Sequence, residues 1–234
     1  MKGRRNEKGW RMRICFVSKE KIPTFRLTEG EKSSDVYLFG FQGNEEISYT
    51  RELTGETEFF SAVARLSKAC KGVVVCGCVT NIYGHKRKSA IVAENGKICG
   101  ISDALYSVES RYACGASLRV YDTKAGRMGV IVDEDLYFPD TAKALATCGS
   151  DFIVCPFKGV LNGLPSVLLR AWAYTYGVPM VCCADGYTMI ADQKGETVFA
   201  SPQSSIVAEL DLKKEYHLVE TRRCGFYPSR SDET

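Results

Sequence analysis

An α+β fold, with two stacked sheets and helices on the outside, is what this sequence predicts. Three observations carry that reading. Near-continuous apolar runs, of which Gly72–Thr80 is the longest, have the length and composition of strands buried on both faces. Two pairs of apolar runs are joined by short glycine-bearing links, Glu94-Asn95-Gly96 and Lys124-Ala125-Gly126, and read as hairpins. Only three segments carry helical signals, too few to alternate with every strand.

The elements follow in order. Met12–Ser18 and Asp35–Phe41 read as the first two strands. The polar link between them, Lys19–Ser34, holds Pro23 and Gly30 and is too short for a long amphipathic helix with two loops. Phe59, Phe60, Val63, Ala64 and Leu66 recur at helical spacing, which predicts a helix over Thr57–Cys70. Ser89–Ala93 and Lys97–Ile101 form the first hairpin, because Asn95 and Gly96 both tolerate positive φ. Leu118–Asp122 and Met128–Asp133 form the second. Pro139 suits the first turn of a helix and Gly149 its end, so a helix covers Pro139–Cys148. Asp151–Cys155 is a buried strand, and Leu164–Tyr176 is a helix stopped by Gly177 and Pro179. Strands at Pro179–Ala184, Tyr187–Asp192, Thr197–Ala200 and Ile206–Leu210 complete the core. With no repeat or low-complexity linker, one domain over 1–234 is expected, its core at about 12–212 and a surface arm at 213–234.

Composition narrows the function classes. The 234 residues are 45% hydrophobic and 25% charged, and the net charge of +3 is too mild to argue for nucleic acid. No apolar run approaches the roughly 20 residues of a membrane span. The run Ile14–Val17 is too short for a signal-peptide core, so a cytoplasmic location is expected. The 11 cysteines sit mostly in apolar runs and read as reduced core thiols. With two histidines and no CxxC pair, neither a metal site nor a cofactor is expected.

Several segments together resemble the carbon–nitrogen hydrolase, or nitrilase, superfamily. They are Gly126-Arg-Met-Gly129-Val-Ile-Val-Asp133-Glu134-Asp135-Leu-Tyr-Phe138-Pro139-Asp140, continuing through Gly149-Ser-Asp151 to Pro156; Asn95-Gly96 to Gly100 followed by Glu109-Ser-Arg-Tyr-Ala-Cys-Gly115; Ile190-Ala-Asp192-Gln-Lys-Gly195-Glu196; and the ending Arg222-Arg223-Cys-Gly-Phe-Tyr227. Their order and spacing over about Asp35–Tyr227 make the match specific. It implies a four-layer αββα sandwich, often paired into homodimers. It also implies a reaction in which a cysteine attacks the carbon of an amide or nitrile, a glutamate moves protons and a lysine holds the oxyanion.

Carried across residue by residue, that machinery is degenerate here. The cysteine falls on Asp133, at a turn between strand and helix. The glutamate falls on Phe41, after Gly40. The lysine falls on Asp103, or on Ser102 if the register slips by one. The accessory glutamate is kept as Glu109, and Glu134 and Asp185 are further pocket residues, the latter in Ala184-Asp185-Gly186, where the family has an asparagine-glycine turn. A carboxylate attacking an amide would form a mixed anhydride, far higher in energy than a thioester. The expected function is therefore that of an inactive hydrolase, a pseudoenzyme that keeps a small-molecule or partner-binding role.

The alternative is an active amidase with relocated residues, for which Glu45, Glu46 and Cys155 are candidates. The basic run His85-Lys86-Arg87-Lys88 reads as a solvated loop, with anion binding as its other reading. If Asp103, Asp133 and Glu109 converge without a lysine, like charges crowd one cleft. A cationic ligand, either an amine or a hard oxygen-liganded ion such as Mg²⁺ or Ca²⁺, would then suit it. Asp140, in a first helical turn, and Asp135, bonded to backbone in the turn, read as architectural.

Overall fold

The computed structural model describes residues 10–161 and 163–212, without the side chains of Trp10, Asn44 and Glu45. The arm expected at 213–234 lies outside them. The strands are β1 (Trp10–Val17), β2 (Val36–Ser48), β3 (Val73–Ile82), β4 (His85–Glu94), β5 (Lys97–Asp103), β6 (Val120–Thr123), β7 (Gly126–Val130), β8 (Phe152–Pro156), β9 (Met180–Ala184), β10 (Tyr187–Ala191), β11 (Thr197–Ser201) and β12 (Ser205–Leu212). The helices are α1 (Tyr49–Leu53), α2 (Phe59–Cys70), α3 (Pro139–Thr147) and α4 (Leu164–Tyr176), with a short 3-10 helix at Asp133–Tyr137.

Two six-stranded sheets form, in the orders β12-β1-β2-β3-β4-β5 and β11-β10-β9-β8-β7-β6. Alternation along each strand decides which side chains face which layer. Val73 and Val75 of β3 and Ala90 and Val92 of β4 point between the sheets, where they meet Val130, Val154 and Val181. Val74, Cys76, Ile91 and Ala93 point outward, under Val63 and Cys70 of α2. On the second sheet, Ile153, Cys155, Met180 and Cys182 point outward under Leu145 of α3 and Leu169 and Ala173 of α4. Helix, sheet, sheet and helix thus make the four expected layers.

The link after β1 holds turns and no helix, and it is pinned by Ile22 and Phe25, both 4% exposed, beneath the first sheet. At the β4–β5 turn Asn95 and Gly96 take φ of 52° and 81°, as the hairpin reading requires. Three features depart from expectation, the first being the short helix α1, which no sequence signal announced. β4 begins at His85, so the basic run is strand and not loop. β2 runs to Ser48, but three extra residues interrupt its ladder, because Phe41 pairs with Gly77 while Glu46 pairs with Val79. Among the described residues no helix is long and apolar enough to cross a membrane.

Candidate functional site

The site is built where β7 leaves the second sheet. Ile131 and Val132 continue the buried strand, and the chain then turns sharply at Asp133, whose φ is +50°. Aspartate tolerates that left-handed conformation better than most residues. The turn drives the Asp133 side chain into the interior, where it is 2% exposed. One carboxylate oxygen, Oδ1, accepts the main-chain N–H of Lys158, just past β8, at 2.8 Å. The other, Oδ2, lies 2.6 Å from Lys88 Nζ.

Lys88 is the residue that sequence reasoning missed. It sits on β4 in phase with Ala90 and Val92, so it points between the sheets and is only 3% exposed. Its ammonium also lies 3.0 Å from Glu134 Oε1 and 3.2 Å from Glu109 Oε1. The buried lysine of this site thus stands on the strand next to β5, where Ala104 N–H donates to the Lys88 carbonyl. The signal was there: Lys86, Lys88, Ala90 and Val92 share one face by simple alternation.

Burial alone would pull the Lys88 pKa down. Hydrogen bonds and charge from Asp133, then from Glu134 and Glu109, outweigh it and hold the ammonium well above the ordinary lysine value. Burial pushes the Asp133 carboxyl up, and Lys88 and the Lys158 N–H only partly reverse that. Glu109, which Lys88 and Arg111 together hold, is lowered in spite of its own desolvation. Asp135 is buried too, and burial raises it to about 6 although it accepts the N–H groups of Leu105 and Tyr106 at 3.0 and 2.9 Å. With Glu134, which takes Val108 N–H at 2.9 Å, it anchors the loop after β5. Asp140 accepts the Tyr106 hydroxyl.

That loop, residues 104–115, carries Glu109, Arg111 and Tyr112. It is closed at its base by Gly115 N–H to the Ala104 carbonyl and by Ala113 N–H to the Lys86 carbonyl. Tyr112 is 9% exposed, and its ring has three cations around it. Lys88 Nζ, the Arg111 guanidinium and Lys158 Nζ stand 5.1, 5.0 and 5.3 Å from its centroid. Lys158 also donates to the Tyr112 hydroxyl at 3.0 Å. A cleft of about 250 Å³ opens here, lined by Glu46, Val79, Lys86, Arg111, Tyr112 and Lys158.

The remaining expected residues lie elsewhere. Asp103 pairs in register with Ser89, so it faces the α2 side of the sheet, accepting from Ser89 Oγ at 2.7 Å and contacting Arg87. Ser102 faces the other way and shares a hydrogen bond with Tyr121. Phe41 lies over Gly77, where a Cβ would come within 2.5 Å of the ring, and packs into the inter-sheet core. Asp185 is exposed on the β9–β10 turn and does not line the cleft. Glu46 does line it, and is held by Lys86 and by Asn81 Nδ2 at 2.8 Å. Cys155 points under α3 and α4, away from it.

The convergence of Asp103, Asp133 and Glu109 without a lysine is thus corrected: Glu134 takes the place of Asp103, and Lys88 stands at the centre. Strand alternation sends Asp103 to the opposite face. Among the described residues no group of three His, Cys, Asp or Glu is placed to hold a metal ion.

Comparison with known proteins agrees with this architecture. No family model matches the chain. It is 21% identical over 233 residues to a probable nitrilase of Schizosaccharomyces pombe, with 87% of this chain and 82% of that protein covered. Among solved structures it is similar to an amidase from Nesterenkonia of the nitrilase superfamily, with TM-score 0.72, 13% identity and coverage of 91% and 94% of the two chains. It is also similar to a Saccharomyces cerevisiae protein of branch 10 of that superfamily, with TM-score 0.70, 14% identity and coverage of 96% and 97%. A carbon–nitrogen hydrolase from Helicobacter pylori gives 0.68, 15%, 86% and 89%.

Proposed function

The chain shares the fold of nitrilase-superfamily proteins, and from that premise we propose that it is a non-hydrolysing member of that superfamily, a pseudoenzyme whose cleft beside Tyr112 holds a small molecule. One observation carries the reading: the 2.6 Å contact between Lys88 and Asp133, both buried. In a mutant of the Nesterenkonia amidase, acrylamide adds to the active-site cysteine. The elbow of this chain offers a carboxylate whose two oxygens are already occupied, one by Lys158 N–H and one by Lys88.

The ammonium that could hold an oxyanion is shared among three carboxylates. Loss of one oxyanion donor lowers a rate by roughly 10²–10³. Nucleophile and cation act as a unit, so an ammonium already engaged by three carboxylates and set beside an elbow without a thiol does not carry the reaction alone. The lining of the cleft contains no cysteine.

Ammonia release from butyramide and from short aliphatic nitriles tests this. The expected result is no release above that of the Lys88→Met protein. Turnover that disappears on replacing Glu46 or one cysteine would establish a relocated catalytic set, for which the position of Glu46 in the cleft is the supporting observation. A homodimer, which the resemblance implies, would cover the α4 side chains Leu164 and Val167, 59% and 56% exposed; sedimentation velocity tests that.

A further inference from the structure

Charge around the cleft is segregated. The acids Asp133, Glu134 and Glu109 gather on Lys88 at its inner end. The lining itself carries three cations, Lys86, Arg111 and Lys158, and one carboxylate, Glu46. Two of those cations have acidic partners: Lys86 pairs with Glu46 and Arg111 with Glu109. Lys158 has none among the described residues, and its ammonium rests on the hydroxyl of Tyr112 at 3.0 Å. It also shares the Tyr112 ring with two other cations, all within 5.3 Å of the centroid. Three cations around one ring repel each other, and only two are compensated. An anion placed against Lys158 and Arg111 would relieve that imbalance and gain charge-assisted hydrogen bonds. An amine there would add to it.

Size and surface define the rest of the ligand. About 250 Å³ exceeds the needs of a bare inorganic anion, since a water molecule's share of liquid volume is roughly 30 Å³. Val79 and the Tyr112 ring supply the small apolar part of a mainly polar lining, where a short hydrocarbon body can rest. Both oxygens of Glu46 are already engaged, by Lys86 and Asn81, so the opposite wall does not call for a cationic group.

We infer that the cleft takes a small organic carboxylate of about the size of glutarate, its carboxylate on Lys158 and Arg111 and its hydrocarbon body against Val79 and Tyr112. This rests on the reading of the cleft as a ligand site and names the class of its ligand.

The test is calorimetric titration of the full chain with glutarate, butyramide, putrescine and inorganic phosphate. Saturable binding of glutarate, weaker at high salt, is expected. Lys158→Gln should weaken it by about tenfold or more, and Lys158→Arg should largely keep it. Neither change touches the Lys158 main-chain N–H that Asp133 accepts, and melting curves of both variants check the fold. Tighter binding of putrescine or butyramide, no glutarate binding, or glutarate binding indifferent to Lys158→Gln would each overturn the inference. Phosphate binding as tight as glutarate would overturn the organic body. Any of these leaves the non-hydrolysing reading in place, because ammonia release decides that separately.

Discussion

Replacing Lys88 by methionine isolates the central ion pair. Lys88 contacts three carboxylates, but they are not equally dependent on it. Glu109 is 39% exposed and keeps Arg111. Glu134 is 13% exposed and keeps the Val108 N–H. Asp133, 2% exposed, keeps only the Lys158 N–H. The loss therefore falls mainly on one buried carboxylate, and breaking a buried pair costs about 3–5 kcal/mol. Protonation sets a ceiling. Neutralising an aspartate at pH 7 from an unfolded pKa of about 3.9 costs about 4 kcal/mol, and at pH 5 about 1.5 kcal/mol.

The sign is that of a carboxyl raised in the folded state, already its direction in the parent: the stability it supplies is full below the unfolded pKa and is lost as pH rises through the folded one. The Lys88→Met deficit should therefore be about 4 kcal/mol at pH 7, which is about 8–16 °C in Tm for a chain of this size, and should shrink toward pH 5. Lys88 itself, held high, contributes no slope in that range. Urea titrations at both pH values measure this. Adding Asp133→Asn to Lys88→Met should restore most of the loss, since asparagine also accepts the positive φ. A deficit under about 1 kcal/mol at pH 7, or one unchanged at pH 5, would refute the reasoning.

Asp133→Cys should create a thiol beside the Lys88 ammonium, which favours the thiolate; iodoacetamide should label it near neutral pH faster than any native cysteine, and adding Lys88→Met should remove that advantage. In the parent chain, burial pushes the thiols of Cys15, Cys76, Cys78 and Cys183 up, so among the described cysteines labelling should be confined to the exposed Cys99, Cys114 and Cys148 until the protein unfolds; one hyper-reactive native thiol would argue for a relocated nucleophile. Asp135, raised by burial to about 6, supplies stability that is present below about pH 4 and lost as pH rises through 6, of order 2–3 kcal/mol. Asp135→Asn should lack that slope, so its stability relative to the parent should improve between pH 4 and 7 in urea titrations; an unchanged difference would count against the raised value.

The layers were legible because the sequence repeats their periods. Asn95-Gly96 fixed a hairpin, and Pro139 and Gly177 marked helix ends that the structure keeps. Short α1, Tyr49–Leu53, buries none of its residues and so left no apolar stripe to detect. The site was half legible. The turn at Asp133 followed from the passage of a buried run into a helix start at Pro139, and Glu109 from the resemblance. Lys88 did not, because four consecutive polar residues beginning at His85 look solvated unless strand phase is followed back from Ala90. Its partners stand far along the chain, so no local pattern announces them. The interruption in β2 that carries Glu46 into the cleft likewise shows only when the ladder with β3 is known.

The contacts of Asp133 explain how the sharp turn at the elbow is held. A non-glycine residue at φ +50° stores roughly 1–3 kcal/mol of strain, and such a conformation persists only where other contacts fix it. Here those contacts are the Lys158 N–H and the Lys88 ammonium, both made by the side chain of the strained residue itself. A carboxylate is acceptor-only with two oxygens, so it can answer one donor from each sheet: Lys158 follows β8 of the second, Lys88 lies on β4 of the first. A thiolate offers a single sulfur and could not span both with the same geometry. The aspartate thus ties the two sheets together at the point where a nucleophile would have to stay unencumbered. Structural tie and nucleophile make opposite demands on one side chain, and the contacts of Asp133 meet only the first.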